Sequence, residues 1–331
     1  MVAMTLAQVL GAIPITRLGR HLPTIGFLRF LVGLRTIALV LLAALAVYGA
    51  ALPWLIACAA IAGSVNGAAF GYLRSLLNAL TPASGLPRAL GIAATLNEVT
   101  FVLAPVIASG LGVVSPIFAV LAPAVLGVVP ALLVPNAGRP TVPDASHAPG
   151  SVLSPPIALW LGCAMAGGAT VAAVEIGAVA LALRYDYQPA LAIIFTVPLC
   201  LASVAGGIWV SVRNRAASRR AVVLQLAVMA FGAALVALQF SVAATVAGAL
   251  LIGAVLAPLG TYYSLMLDTL APPHRRAEVF ALLRTANAVG FIVAGLALTL
   301  FSLSTTLVAV TGLMVVATLA VGAGRRLKLS T

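Results

Sequence analysis

Residues 71–105, GYLRSLLNALTPASGLPRALGIAATLNEVTFVLAP, and residues 261–295, TYYSLMLDTLAPPHRRAEVFALLRTANAVGFIVAG, lie 190 positions apart and align without a gap. Tyr72 falls on Tyr262, Leu77 on Leu267, Leu80 on Leu270 and Pro82 on Pro272. Thr95 falls on Thr285, Asn97 on Asn287, Val99 on Val289, Phe101 on Phe291 and Ala104 on Ala294. Nine identities in 35 positions are cheap in apolar sequence. Two features raise their weight. Asparagine is scarce in apolar stretches, yet Asn97 and Asn287 coincide, and the same shift carries 36–52 onto 226–242 and 115–134 onto 305–324. The chain therefore reads as two copies of one unit.

Working outward, the medium of that unit follows from composition. Of 331 residues 63% are hydrophobic and 7% charged, whereas a water-facing domain carries about 25% charge. Lipid is the expected solvent. Helices satisfy their own backbone in lipid, and a barrel would show alternating polarity instead, so an all-α membrane protein is predicted. Apolar runs long enough to cross a bilayer are read at 36–52, 54–78, 89–112, 115–134, 156–183, 189–211, 221–240, 243–267, 278–300 and 303–323. Residues 1–15 form a shorter apolar stretch, giving about eleven helices. The long polar stretch 135–154 reads as a linker between a bundle over 1–134 and a six-helix bundle over 155–331.

The net charge of +12 raises nucleic acid as a partner. Binding of that kind needs basic residues clustered on a folded face; here they are read in short loops between apolar runs. One side carries Arg17, Arg20, Arg29 and Arg35; Arg74 and Arg88; Arg139; Arg213, Arg215, Arg219 and Arg220; Arg275, Arg276 and Arg284; Arg325, Arg326 and Lys328. The other side carries Arg184 alone. The positive-inside rule then predicts a multi-pass protein of the inner or plasma membrane with a cytoplasmic C-terminus. No nucleic-acid partner is expected. Trp54, Trp160 and Trp209 lie near span ends and are expected as interfacial anchors. Cys58, Cys163 and Cys200 fall inside apolar runs, as small core residues rather than a disulfide framework or metal site.

With the repeat, the linker and the charge bias in place, the chain resembles the major facilitator superfamily over nearly its whole length. That resemblance implies two six-helix halves, the first shortened here: residues 1–15 match the eighth span of a twelve-span plan, so the first transmembrane helix is expected to be missing. Residues Ala12 to Arg20 resemble the family's G-x-x-x-D-R-x-G-R pattern, keeping Arg17, Gly19 and Arg20, with Thr16 in the acidic place. Ala104-Pro105-Val106-Ile107-Ala108-Ser109 resembles G-P-x-x-G-G of the family's fifth helix, with small residues for glycine. Asn66-Gly67-Ala68-Ala69 echoes R-x-x-Q-G-x-G, with Gly63 where the arginine would stand.

The residues able to carry chemistry are few. Glu98 lies about 15 Å along its span from Arg88, and Glu175 about 13 Å from Arg184. A carboxyl in a span is costly and normally faces a bundle interior or a wet cavity. Each is a candidate for a coupling proton or a cationic group of a solute; the alternative is an acid hydrogen-bonded to a neighbouring helix. Asn97, Asn287, Asn66 and Thr170 either line a substrate path or join helices as polar contacts. Pro105 is read as permitting close helix approach. Asp268, Arg275, Arg276 and Glu278 form either a gating ion-pair network or, as the commoner reading, a solvated loop.

Enzyme chemistry lacks its parts. The sole lysine, Lys328, belongs to no phosphate-binding loop, and His21, His147 and His274 have no ligand spacing. No cofactor is expected. The resemblance implies a secondary active transporter working by alternating access, with a small-molecule substrate, protons and the bilayer as partners. Proton-coupled efflux of a small organic solute is the reading; a truncated, inactive remnant or a miscalled start is the alternative. A membrane subunit served by a separate ATPase is disfavoured by the repeat.

Overall fold

A computed structural model describes residues 2–19, 22–133, 153–215 and 217–323. The linker at 135–152, with Arg139 and His147, lies outside them, as do Arg20, His21, Arg325, Arg326 and Lys328. The described residues form helices α1 (Val2–Leu18), α2 (Thr24–Val47), α3 (Leu52–Leu80), α4 (Leu86–Val114), α5 (Pro116–Leu133) and α6 (Pro155–Arg184). These are followed by α7 (Ile193–Arg213), α8 (Arg219–Leu238), α9 (Val242–Leu270), α10 (Arg276–Leu300) and α11 (Leu303–Ala323). Eight helical stretches, namely α2, α3, α6, α7 with the 3-10 turn before it, α8, α9, α10 and α11, are long and apolar enough to cross a membrane. The 190-residue shift is visible in the boundaries: it carries both ends of α3 onto those of α9, and the start of α4 onto that of α10.

Helix ends follow local chemistry. Ser154 precedes α6 in extended conformation, and Pro155 and Pro156 occupy its first turn, where a missing N–H costs nothing. The Ser218 hydroxyl accepts the Ala221 N–H at 3.3 Å and caps α8. Asn214 ends α7 with φ +45°. Its side chain accepts the Arg88 N–H and donates to the Ser84 carbonyl, each at 3.0 Å, tying the start of α4 to the end of α7. Pro14, Pro198 and Pro258 stand inside α1, α7 and α9, as membrane helices tolerate.

The chain divides into two compact units. One comprises Met1–Leu80, Phe101–Val152 and Ala271–Thr285; the other comprises Thr81–Thr100, Leu153–Leu270 and Ala286–Thr331. Helices α4 and α10 are each shared between the units. In the first unit α3 packs on α1 and α2, and α2 on α5. Its core is Phe27, Leu28, Leu31, Val65, Ala68, Tyr72 and Leu76. The α1–α3 crossing is close because Gly63 meets the Met4 carbonyl where a Cβ would stand. An arginine at Gly63, as in the family pattern, has no room there. In the second unit α9 packs on α7 and α8, and α11 on α6 and α8.

Three expectations change. Helix α2 begins at Thr24 rather than near 36, because its long apolar run carries Arg29 and Arg35 without interruption. Arg35 is therefore mid-helix and not in a loop; Arg74 and Arg284 also lie within helices, α3 and α10. Trp160 is 8% exposed and packs edge-on to Tyr262 at 5.2 Å, so it is a core residue and not an interfacial anchor. Trp54 and Trp209 are exposed.

Gly63→Leu should lower stability by about 1–3 kcal/mol through overpacking, read as a drop in the thermal midpoint in detergent. Gly33→Ala, with nothing within 4 Å of its Cβ position, should leave the midpoint unchanged or raise it. Equal behaviour of the two would contradict the crossing.

Candidate functional site

In the second unit, α4 and α7 cross so closely that a Cβ on Gly207 would strike Thr95. Glu98 follows Thr95 by three residues, on the adjoining face of α4. Its carboxyl has Ser203 of α7 and its own neighbour Asn97 as polar company. The Ser203 hydroxyl is fully buried and closes no hydrogen bond of ordinary geometry. Glu175 of α6 lies within electrostatic reach of Glu98, and the Cys200 thiol of α7 within reach of both. Both acids are half-buried. Along the sequence these two carboxyls stand at different depths of separate spans; the fold brings them into one field.

The asparagines fare differently. Asn287 sits at the α6–α10 crossing, where a Cβ on Gly168 would stand 2.9 Å from its carbonyl oxygen. Asn97 is exposed. In the first unit, the Asn66 amide donates to the Gln8 side-chain oxygen at 3.0 Å, joining α3 to α1. Thr170 is buried and bonds back to the Ala166 carbonyl at 2.9 Å, a contact within its own helix. Cys58 and Cys163 are buried and Cys200 partly so, all with free thiols. The backbone of Pro105 lies within α4; its side chain is outside the described ones.

Around Arg17 the first unit builds an ionic contact. Residues Ala12 to Leu18 of the motif are the last turns of α1 rather than a loop. The Arg17 Nε donates to Glu278 Oε1 at 3.0 Å, and the Arg275 Nε to Glu278 Oε2 at 3.1 Å. Glu278 is 4% exposed, so the solvated-loop reading does not describe it. Asp268 stands near the end of α9, in the second unit, and Arg276 opens α10. Thr16, in the place of the motif's acid, is buried and needs no ionic partner. Its hydroxyl bonds the Ala12 carbonyl at 2.7 Å, and its carbonyl accepts the Tyr72 hydroxyl at 3.1 Å. Gly19 is required by close approach: a Cβ there would overlap the Phe27 ring and the Tyr72 hydroxyl.

The side chains on Glu278 differ in exposure, 10% for Arg275 and 55% for Arg17. Arg275→Gln should cost about 3–5 kcal/mol, because it strips the buried partner from a buried carboxylate. Arg17→Gln should cost about 1 kcal/mol or less. Thermal unfolding in detergent checks the order; the reverse order would contradict the network.

The sequence model of the Major Facilitator Superfamily matches residues 1–295. No curated protein matches the chain. Among solved structures, the human organic anion transporter MFSD10 (TETRAN) superposes with a TM-score of 0.75 at 16% identity, covering 96% of this chain and 82% of that one. The E. coli fucose:proton symporter FucP gives 0.75 at 12% identity, covering 97% and 90%. A bacterial homologue of the iron transporter ferroportin, in its outward-facing state, gives 0.76 at 14%, covering 97% and 87%. At such identities these likenesses show the fold alone. The repeat, the eleven described helices and the match over residues 1–295 agree: the chain belongs to the major facilitator superfamily.

Proposed function

We propose that the chain is a secondary active transporter that exports a small organic solute against an inward flow of protons, with Glu98 and Glu175 as the proton-carrying pair. The observation that carries this reading is their shared field inside helices α4 and α6. Two carboxylates within electrostatic reach at low dielectric repel, and a proton on either relieves the repulsion. A proton that leaves one side and enters from the other as the bundles rock is the coupling step of alternating access. Ser203 and Cys200 offer a hydroxyl and a thiol beside the pair, so the proton's neighbours are polar but uncharged.

Kinship supports the transport reading, and the fucose:proton symporter supports protons as the coupling ion. Export is preferred because of the proline-centred element on α4, Ala104–Ser109, which resembles the family's fifth-helix pattern. The charge bias of the loop cations supports an orientation with the C-terminus in the cytoplasm.

Proteoliposomes loaded with a pH-sensitive dye test the pair. An imposed solute gradient should drive proton movement in the parent protein, and Glu98→Gln and Glu175→Gln should each reduce it at least tenfold while solute counterflow persists. Undiminished proton movement in both variants would refute the assignment.

A further inference from the structure

The first unit holds cations well inside its helices. Arg35 lies eleven residues into α2, about 16 Å along the axis from Thr24. Arg284, on α10, places its guanidinium over the Phe70 ring with Cζ 5.5 Å from the centroid. Arg284 lies within electrostatic reach of Arg35. The Arg35 guanidinium points across to α5, where a Cβ added to Gly127 would stand 3.4 Å from Nη1. Among the described residues the Arg35 Nε is buried with no hydrogen-bond partner.

The protein supplies little to balance these charges. Among the described residues of this unit Glu278 is the one acid, and it is already held by Arg17 and Arg275. Arginine within the membrane is expensive and is retained where it pairs with something or faces a path for an ion or solute. Its planar fork matches a carboxylate or phosphate through two parallel hydrogen bonds. Helix α3 adds the rest of a recognition face. The Phe70 ring under the Arg284 guanidinium supplies an aromatic surface beside that cation, while Asn66, one turn earlier on α3, is already engaged with Gln8 of α1.

We propose that Arg35 and Arg284 bind the anionic group of the transported solute, which is a small organic anion whose apolar or aromatic body lies against Phe70. This rests on the transport reading and names its substrate class. The two sites divide the labour: a negative group is held among cations in the first unit, and the proton is carried by acids in the second. The same fork chemistry would also take an anionic lipid headgroup, which the experiment separates.

Purified protein in phosphatidylcholine nanodiscs is titrated with benzoate and phenyl phosphate, with benzyl alcohol and benzyltrimethylammonium as uncharged and cationic counterparts. Thermal stabilisation reports binding. One or both anions should stabilise the protein, and the counterparts should not. Arg35→Gln and Arg284→Gln should each weaken anion binding tenfold or more, with Arg35→Lys and Arg284→Lys between the two extremes; the lysine variants carry the test if a glutamine variant does not fold. Gly312→Ala, on α11 with nothing within 4 Å of its Cβ position, should bind as the parent does. Stabilisation by phosphatidylglycerol but by neither soluble anion would overturn the solute assignment in favour of a lipid headgroup. Equal binding of benzyl alcohol, or anion binding unaltered in the arginine variants, would overturn the site while leaving proton-coupled transport standing. Arginine-dependent anion binding without any solute-driven proton movement would uphold the site and sink the transport reading.

Discussion

A charged side chain carried into hydrocarbon by its helix must meet a partner, water or a ligand, because the medium itself offers nothing. This constraint organises every polar feature of the protein. Backbone groups are satisfied within helices, so the burden falls on the few ionisable side chains. Each resolves it differently: Glu278 takes two arginines, Glu98 and Glu175 lie within electrostatic reach of each other, and among the described residues the buried Arg35 Nε has no hydrogen-bond partner while Arg284 lies over the Phe70 ring. The first arrangement is a structural contact. The other two leave a charge to be met from outside the chain, and the proposed function rests on them.

Close helix packing delivers these side chains. Gly207 against Thr95 sets the α4–α7 distance and thereby carries Glu98 to Ser203. Gly63 against Met4 brings α1 onto α3, and Gly19 lets the α1 end lie beside Phe27 and Tyr72. The departures from the family patterns follow the same logic. Thr16 satisfies itself within α1, where an acid would demand a cation, and Gly63 stands where the crossing leaves no volume for arginine. A degraded motif is here a locally repacked one.

Much of this architecture is legible in the sequence. The 190-residue shift, read from Tyr72 and Tyr262 through Ala104 and Ala294, reappears as matched helix boundaries. Glu98 and Glu175 stand out because carboxyls are rare in spans. What the sequence does not reveal is tertiary. Nothing in the spacing of Glu98 and Glu175 along the chain says that α4 and α6 bring them into one field. Glu278 reads as solvated because it begins a helix beside two arginines; its partner Arg17 comes from α1, some 260 residues earlier. Arg35 reads as a loop residue if a charge ends a span, whereas α2 continues through it. Trp160 stands near a span end, the usual place for an anchor, and packs instead on Tyr262 of another helix.

The central claim is that Glu98 and Glu175 form one proton site rather than two separate acids. Infrared spectroscopy of the carboxylic acid C=O stretch, followed across a pH titration in lipid, addresses it directly. A shared site predicts that replacing either acid by glutamine shifts or abolishes the band and titration of the other. Two bands that titrate separately, each lost with its own residue and indifferent to the other substitution, would contradict the account.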